Sequence, residues 1–282
     1  MPEVTLKNQH LTLRISTKGA EIQSILDKDG QERLWNGDPA FWTGRAPVLF
    51  PVAGGMRDDG YELDGQWYPM QKHGFARGEE WALESADETC ATFLLTAQKP
   101  GFPFRYAFRA IYWLDNNRIH VSYQLENKDE RIIWATMGGH EAYACPGRME
   151  DYQLVFDEPE TLLHHPLEGT LIHHEGVLLG DNTRILDLNE ELLMNDALVF
   201  FGLRSTGVTL QRKDGSRPVR VDFPGNSTIM FWHKPGAPYL CIEPWNNHPD
   251  FVDAPHDISQ KPHYIGLNPG EKASRDHIIT IG

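Results

Sequence analysis

Phe104-Arg105-Tyr106-Ala107-Phe108-Arg109-Ala110-Ile111-Tyr112-Trp113-Leu114, the turn Asp115-Asn116-Asn117, and the run that follows it settle the fold class. After the turn, Ile119, Val121, Tyr123 and Leu125 recur at every second position, the period of a strand with one buried face. The run before it is rich in the aromatic and branched residues that pleated surfaces favour. Two such runs joined by a short polar turn make an antiparallel pair.

Working outward, the same grammar repeats. Upstream, Thr89 to Gln98 alternates, Tyr61 to Tyr68 pivots on Asp64-Gly65, and Leu11, Leu13 and Ile15 share a face before the turn Asp27-Lys28-Asp29-Gly30. Downstream, Arg131 to Met137 is an apolar strand and Val208 to Phe223 a hairpin about Lys213-Asp214-Gly215-Ser216. Thr228 to His233 and Tyr239 to Ile242 flank the turn Lys234-Pro235-Gly236, and His277 to Ile281 closes the chain. Two prolines and the glycines of Gly44 to Gly55 forbid a regular ladder and mark a shaped loop. Asp157 to Asn189 is poor in strand signal and reads as an elaborated loop region. Long helical periodicity, internal repeats and linkers are absent from the sequence. The expectation is an all-β protein, a large, mostly antiparallel β-sandwich, with residues 1–282 as a single domain.

Composition narrows the function. The chain has 282 residues, 40% hydrophobic and 11% aromatic, enough for a sizeable core. Its 26 basic and 40 acidic residues give a net charge of −14, which argues against nucleic acid or an anionic membrane as partner. A small, neutral or locally steered molecule fits better. Cys90, Cys145 and Cys241 are odd in number and far apart, so reduced thiols and a cytoplasmic setting are expected. The N-terminal segment lacks a basic start and an apolar signal core. A monomer or weak homodimer is the expected state.

Chemistry gathers at strand ends. In Ala237-Pro238-Tyr239-Leu240-Cys241-Ile242-Glu243-Pro244-Trp245 a single carboxylate closes an apolar run beside a tryptophan. Poor hydration there raises a carboxyl pKa and improves it as a proton acceptor near neutral pH, although alone it also reads as an ordinary strand-edge glutamate. The strand before Gly138-Gly139-His140-Glu141-Ala142-Tyr143 likewise delivers a histidine, with glycines that permit close approach. Trp35, Trp42, Trp81, Trp232 and Trp245 supply possible platforms. Sugars want this mixture, because their C–H faces stack on rings while their hydroxyls bond to charged groups. Histidines 10, 120 and 256 read as structural, and the pairs at 164–165 and 173–174 would point to opposite faces of a strand, which disfavours a metal site.

The ordered set His73-Gly74-Phe75-Ala76-Arg77, Gly139-His140 with Tyr143 and Pro146, Asn195-Asp196-Ala197-Leu198, and Cys241-Ile242-Glu243-Pro244-Trp245 with Pro249-Asp250 resembles the aldose 1-epimerase (galactose mutarotase) family, in its LacX-like branch. The resemblance runs over nearly the whole chain. It implies a galactose mutarotase-like supersandwich and interconversion of the α- and β-anomers of an aldose, with no metal and no other cofactor. Carried over by motif, Glu243 is the general base at the C1 hydroxyl and His140 the general acid at the ring oxygen. His73, Arg45, Asp196 and Trp245 bind the sugar. Two departures stand out: Glu141 occupies a position where the family often has proline, and His248 one where a smaller or apolar residue is common.

Three other readings stay open. A phosphorylated hexose would be clamped by Arg45, Arg57 or Arg77. A non-catalytic sugar-binding protein would keep the cleft, and a glycoside hydrolase would use Glu243 with Asp196. The mutarotase reading makes a geometric demand: Glu243, His140, His73 and Asp196 should meet in one cleft with a tryptophan on its wall. Its acid and base should stand about 5–8 Å apart to span a hemiacetal.

Overall fold

The computed structural model describes residues 2–282. Nine antiparallel strands form one large sheet in the order Val177–Asp187, Tyr152–His164, Gly207–Arg212, Val219–Asp222, Lys272–Ile281, Arg118–Asn127, Tyr106–Asp115, Cys90–Leu95 and Ala82–Ala86. A second, four-stranded sheet runs Glu141–Ala144, Tyr239–Trp245, Thr228–Trp232, Leu198–Phe201 and is called the site sheet below. The main core lies between them. Phe108, Val121, Tyr123 and Ile279 enter it from the large sheet, and Tyr143, Leu240 and Ile242 from the site sheet. Ile119, Val121, Tyr123 and Leu125 are all buried on one face, as their spacing predicts. The 60–69 hairpin forms about Asp64-Gly65, and among the described residues helix is confined to short turns such as Glu190–Leu193.

Every residue of Tyr239–Trp245 is buried, which explains why this strand reads as a continuous apolar run instead of an alternating one. Its Leu240 and Ile242 face the main core. Its other face, with Tyr239, Cys241 and Trp245, packs into two smaller apolar clusters, and Glu243 sits between them. That second face is where the sheet can present chemistry.

The expectation for Asp157 to Asn189 needs correction. Most of it belongs to two long strands, Tyr152–His164 and Val177–Asp187, at the rim of the large sheet. Three register shifts interrupt their ladder, and almost all of Val177–Asp187 is exposed or half-exposed. An edge strand without a core face has no reason to alternate apolar and polar residues, so the periodic signal is missing. Among the described residues, no helix is long and apolar enough to cross a membrane.

Candidate active site

Register places the two central groups. Glu141 pairs with Ile242 in the antiparallel ladder, so His140, one residue back, falls opposite Glu243, one residue on. Directly opposed side chains on one face of a sheet stand close enough to touch. The His140 Nε2 to Glu243 Oε2 distance is 3.4 Å, and both residues are buried. This is shorter than the 5–8 Å expected from the sequence. The expectation assumed an acid and a base on opposite sides of a sugar, whereas cross-strand neighbours reach into the cavity side by side.

The segment before His140 is fitted to its surroundings. A Cβ at Gly138 would lie 2.3 Å from Trp245 Cδ1, so only glycine lets the strand pass the indole. Trp245 Nε1 donates to the Gly139 carbonyl at 2.9 Å. The imidazole of His140 stacks on Trp42, with ring centroids 5.1 Å apart, and meets the edge of Trp232 at 5.8 Å. Trp35 Nε1 donates to the Trp42 carbonyl at 2.8 Å and holds that platform in place.

His73 enters from a different loop. Its backbone N–H donates to the Gly54 carbonyl at 2.8 Å, and its Nδ1 accepts from the Gly54 N–H at 3.1 Å. An Nδ1 that accepts fixes the neutral tautomer with hydrogen on Nε2, so the ring offers a donor from that atom. Both His73 and Gly74 are left-handed, at φ 67° and 64°. Glycine takes this conformation freely, but His73 is strained there, and such strain persists where the surroundings dictate it. A Cβ at Gly74 would lie 2.2 Å from the Phe50 carbonyl oxygen. Gly74→Ala is therefore expected to cost more than about 2 kcal/mol, because the left-handed penalty of ~1–2 kcal/mol adds to a backbone clash. Urea unfolding checks this, and a loss under half that size would show that the loop yields easily.

Asp196 is the fourth group, held at φ 100° by the turn after Glu190–Leu193, with Oδ1 accepting from the Ala197 N–H at 2.8 Å. Glu243, His140, His73 and Asp196 all line one cavity of about 640 Å³, whose wall includes Trp42, Trp232 and Trp245. Trp35 and Trp81 are core residues instead.

Arg45 does not join them. Its backbone carbonyl accepts from the Ala142 N–H at 2.8 Å, but its guanidinium turns away and donates to the Gln23 carbonyl at 2.5 Å. The residue borders the site sheet with its main chain, and its side chain faces the strand Ile22–Leu26. Arg57 is also spent elsewhere, on the Ala254 carbonyl. The cations at the cavity are Lys72, Arg77 and Lys234. Lys72 directly precedes His73, and Lys234 sits in a turn that the sequence marks only as a connection. Neither position carries a motif, so only the fold reveals them. His248 bonds to the Pro249 carbonyl and packs on Phe251 and His263, away from the acid–base pair.

Burial sets the protonation preferences. It pushes the Glu243 carboxyl well up from its ordinary range, with the Lys72 charge pulling it back down. It pushes His140 down to about 3 and His73 well below its ordinary value. Burial thus favours the neutral form of each group. His140, Cys241 and Glu243 also bring nitrogen, sulfur and oxygen atoms within 4.8 Å of one another. Burial pushes the Cys241 thiol well up from its ordinary value. The histidines at 164–165 and 173–174 are dispersed: His164 accepts from the Val199 N–H, His165 stacks on Phe201, and His173 and His174 pair with Glu168 and Asp253.

The comparisons with known proteins address the family and the fold. The aldose 1-epimerase family model matches residues 2–280. The plasmid-encoded protein LacX of Lactococcus lactis subsp. lactis is 30% identical over 295 residues, covering 99% of each chain. A galactose mutarotase related enzyme from Lactobacillus acidophilus superposes with a TM-score of 0.93 at 28% identity, over 100% of this chain and 97% of that one. A galactose mutarotase-like protein from Lactobacillus casei gives 0.92 at 25% identity, with 100% of both chains covered. A family match over almost every residue, on a galactose mutarotase-like sandwich whose motifs meet in one cavity, leads to one assignment: this chain belongs to the aldose 1-epimerase family.

Proposed function

We propose that this protein interconverts the α- and β-anomers of a hexose, with Glu243 as general base and His140 as general acid. The observation that carries the reading is the 3.4 Å pairing of these two groups on the wall of one cavity. In a cyclic aldose the C1 hydroxyl oxygen and the ring oxygen are bonded to the same carbon. Their separation is less than a hydrogen-bond length, so adjacent donor and acceptor atoms can address one each. Side-by-side placement suits the chemistry.

The protons balance without any other reagent. Glu243 as carboxylate takes the C1 hydroxyl proton, the C1–ring oxygen bond breaks, and His140 as imidazolium delivers a proton to the departing oxygen. The open aldehyde then faces a neutral pair, the form that burial favours. Rotation about C1–C2 and the reverse transfers close the ring as either anomer. Lys72 lowers the carboxyl pKa and so helps the charged form that starts the cycle. His73 Nε2–H donates near the ring oxygen, Asp196 accepts from hydroxyls further round the ring, and Trp245 with Trp42 forms the apolar wall. Exchange NMR or polarimetry on a freshly dissolved anomer tests the reading, and a rate equal to buffer for every hexose would overturn it.

A specific feature favours a second reading, an anionic sugar such as a hexose phosphate. The chain as a whole has 26 basic and 40 acidic residues, yet the cavity has three cations, Lys72, Arg77 and Lys234, against the two acids Glu243 and Asp196. A charge-assisted bond to phosphate contributes ~1.5–3 kcal/mol, so Lys72→Met is expected to raise KM for the phosphorylated sugar at least about tenfold. For the free sugar the change should stay within about threefold. Parallel KM measurements on the two sugars decide, and equal effects on both would remove the phosphate reading.

A further inference from the structure

Glu141 follows the proposed acid in sequence but points the other way. It is 1% exposed and reaches into the core between the sheets, where its Oε1 meets Nε2 of His277 at 3.0 Å. His277 is 2% exposed and belongs to Lys272–Ile281 of the large sheet. Taking two ionisable groups out of water is costly, and an apolar pair of similar volume would serve stability as well or better. The second oxygen, Oε2, accepts no hydrogen bond, which adds to the cost. Stability alone gives no reason for this pair.

Its contact with the site does. A Cβ on Gly139 would fall 2.5 Å from Glu141 Oε2 and 2.6 Å from Oε1, so the carboxylate lies directly against the Gly139 backbone. The other two restraints on Gly139 come from the strand that carries Glu243: its N–H donates to the Pro244 carbonyl at 3.3 Å, and its carbonyl accepts from Trp245 Nε1 at 2.9 Å. Two consecutive glycines have no side chains with which to anchor themselves. Glu141, braced by His277 from the opposite sheet, closes the third side.

We propose that Glu141 and His277 are positioning residues, a brace across the two sheets that holds Gly139 and thereby sets the spacing of His140 from Glu243. The proposal rests on the reading of His140 and Glu243 as the acid–base pair. A displacement near 1 Å in such a pair costs on the order of a hundredfold in rate. The brace acts only through backbone placement, so it affects kcat and leaves sugar affinity largely intact.

The test is E141M/H277L, an apolar pair of comparable volume. It is expected to fold with an unchanged or higher Tm, to lose about ten- to a hundredfold in kcat, and to keep KM within about threefold. E141Q keeps the bond to His277 and the contact with Gly139, and it should retain kcat within about threefold. Wild-type kcat in E141M/H277L would overturn the proposal, as would E141Q falling equally far, since charge rather than placement would then be at work. If E141M/H277L fails to fold, H277N withdraws the brace more gently, and there too wild-type kcat would overturn it. A crystal structure of the variant gives a readout that does not need activity: the 3.4 Å separation is expected to change, and an unaltered His140–Glu243 geometry would sink the brace. If the wild-type protein exchanged no anomers, the acid–base reading would fail while that structural comparison still judged the brace.

Discussion

Glu243→Gln is expected to lower kcat for anomer exchange at least about a hundredfold and, at the same time, to leave the protein more stable at neutral pH. The first effect follows from removing the proposed base, since a positioned base contributes about 10²–10⁴ in rate. The amide keeps the shape of the carboxyl, so sugar affinity should change little. The second effect follows from the sign of the pKa shift. Burial raises the Glu243 carboxyl in the folded protein above its unfolded value of 4.5. Below that value both states hold the proton and nothing is lost. Above it the unfolded chain releases a proton that the folded state retains, so stability declines as pH rises toward the folded pKa. Glutamine has no such dependence. The variant's advantage in Tm should therefore be present at pH 8 and vanish below about pH 4.5. Thermal unfolding at the two pH values, alongside exchange rates, checks both halves. A variant with wild-type kcat would mean that Glu243 is not the base.

The parts of the molecule that the chain spells out are those where one residue type answers one local demand. Ile119, Val121, Tyr123 and Leu125 alternate because one face of their strand meets the core and the other does not. Glu243 and His140 stand out because each is a polar residue following an apolar run, and a shared site explains both. What the chain conceals depends on distant partners. The 3.4 Å spacing comes from the pairing of Glu141 with Ile242, which no local pattern announces. Arg45 sits beside apolar loop residues as a sugar-binding arginine would, yet the direction of its side chain is decided by the Gln23 carbonyl, 22 residues away. Lys72 and Lys234 lie in polar turns, where a lysine is unremarkable until folding brings both to one cavity. Glu141 was legible as a departure from the family. Its partner was not, because His277 is 136 residues further on and reads as one of several strand histidines.

His140→Gln should also reduce kcat about a hundredfold, and combining it with Glu243→Gln should cost far less than the product of the two. Glutamine is chosen because Nε2 is the atom that faces Glu243 and is proposed to carry the proton, and a glutamine amide nitrogen can reach that place and donate a hydrogen bond without releasing a proton. Independent losses of about a hundredfold each would multiply to ~10⁴, but two residues that act on one proton circuit form a unit. Once the base is gone the ring oxygen's proton donor has nothing to work with, so the double variant should lie within about tenfold of the worse single one. His140 carries its own signature in stability. Its folded pKa is lowered to about 3 from 6.5, so between those values the unfolded chain binds a proton that the folded protein refuses. Stability is therefore full above about pH 6.5 and declines as pH falls toward 3. Glutamine removes that component, and unfolding curves for His140→Gln should be flatter with pH over this window than those of the wild type. Single-turnover exchange rates for the four proteins provide the decisive comparison. Strict multiplicativity would assign one of the two residues a structural role and leave the other as a lone catalyst, whereas a double variant close to the single ones is what a coupled acid and base require.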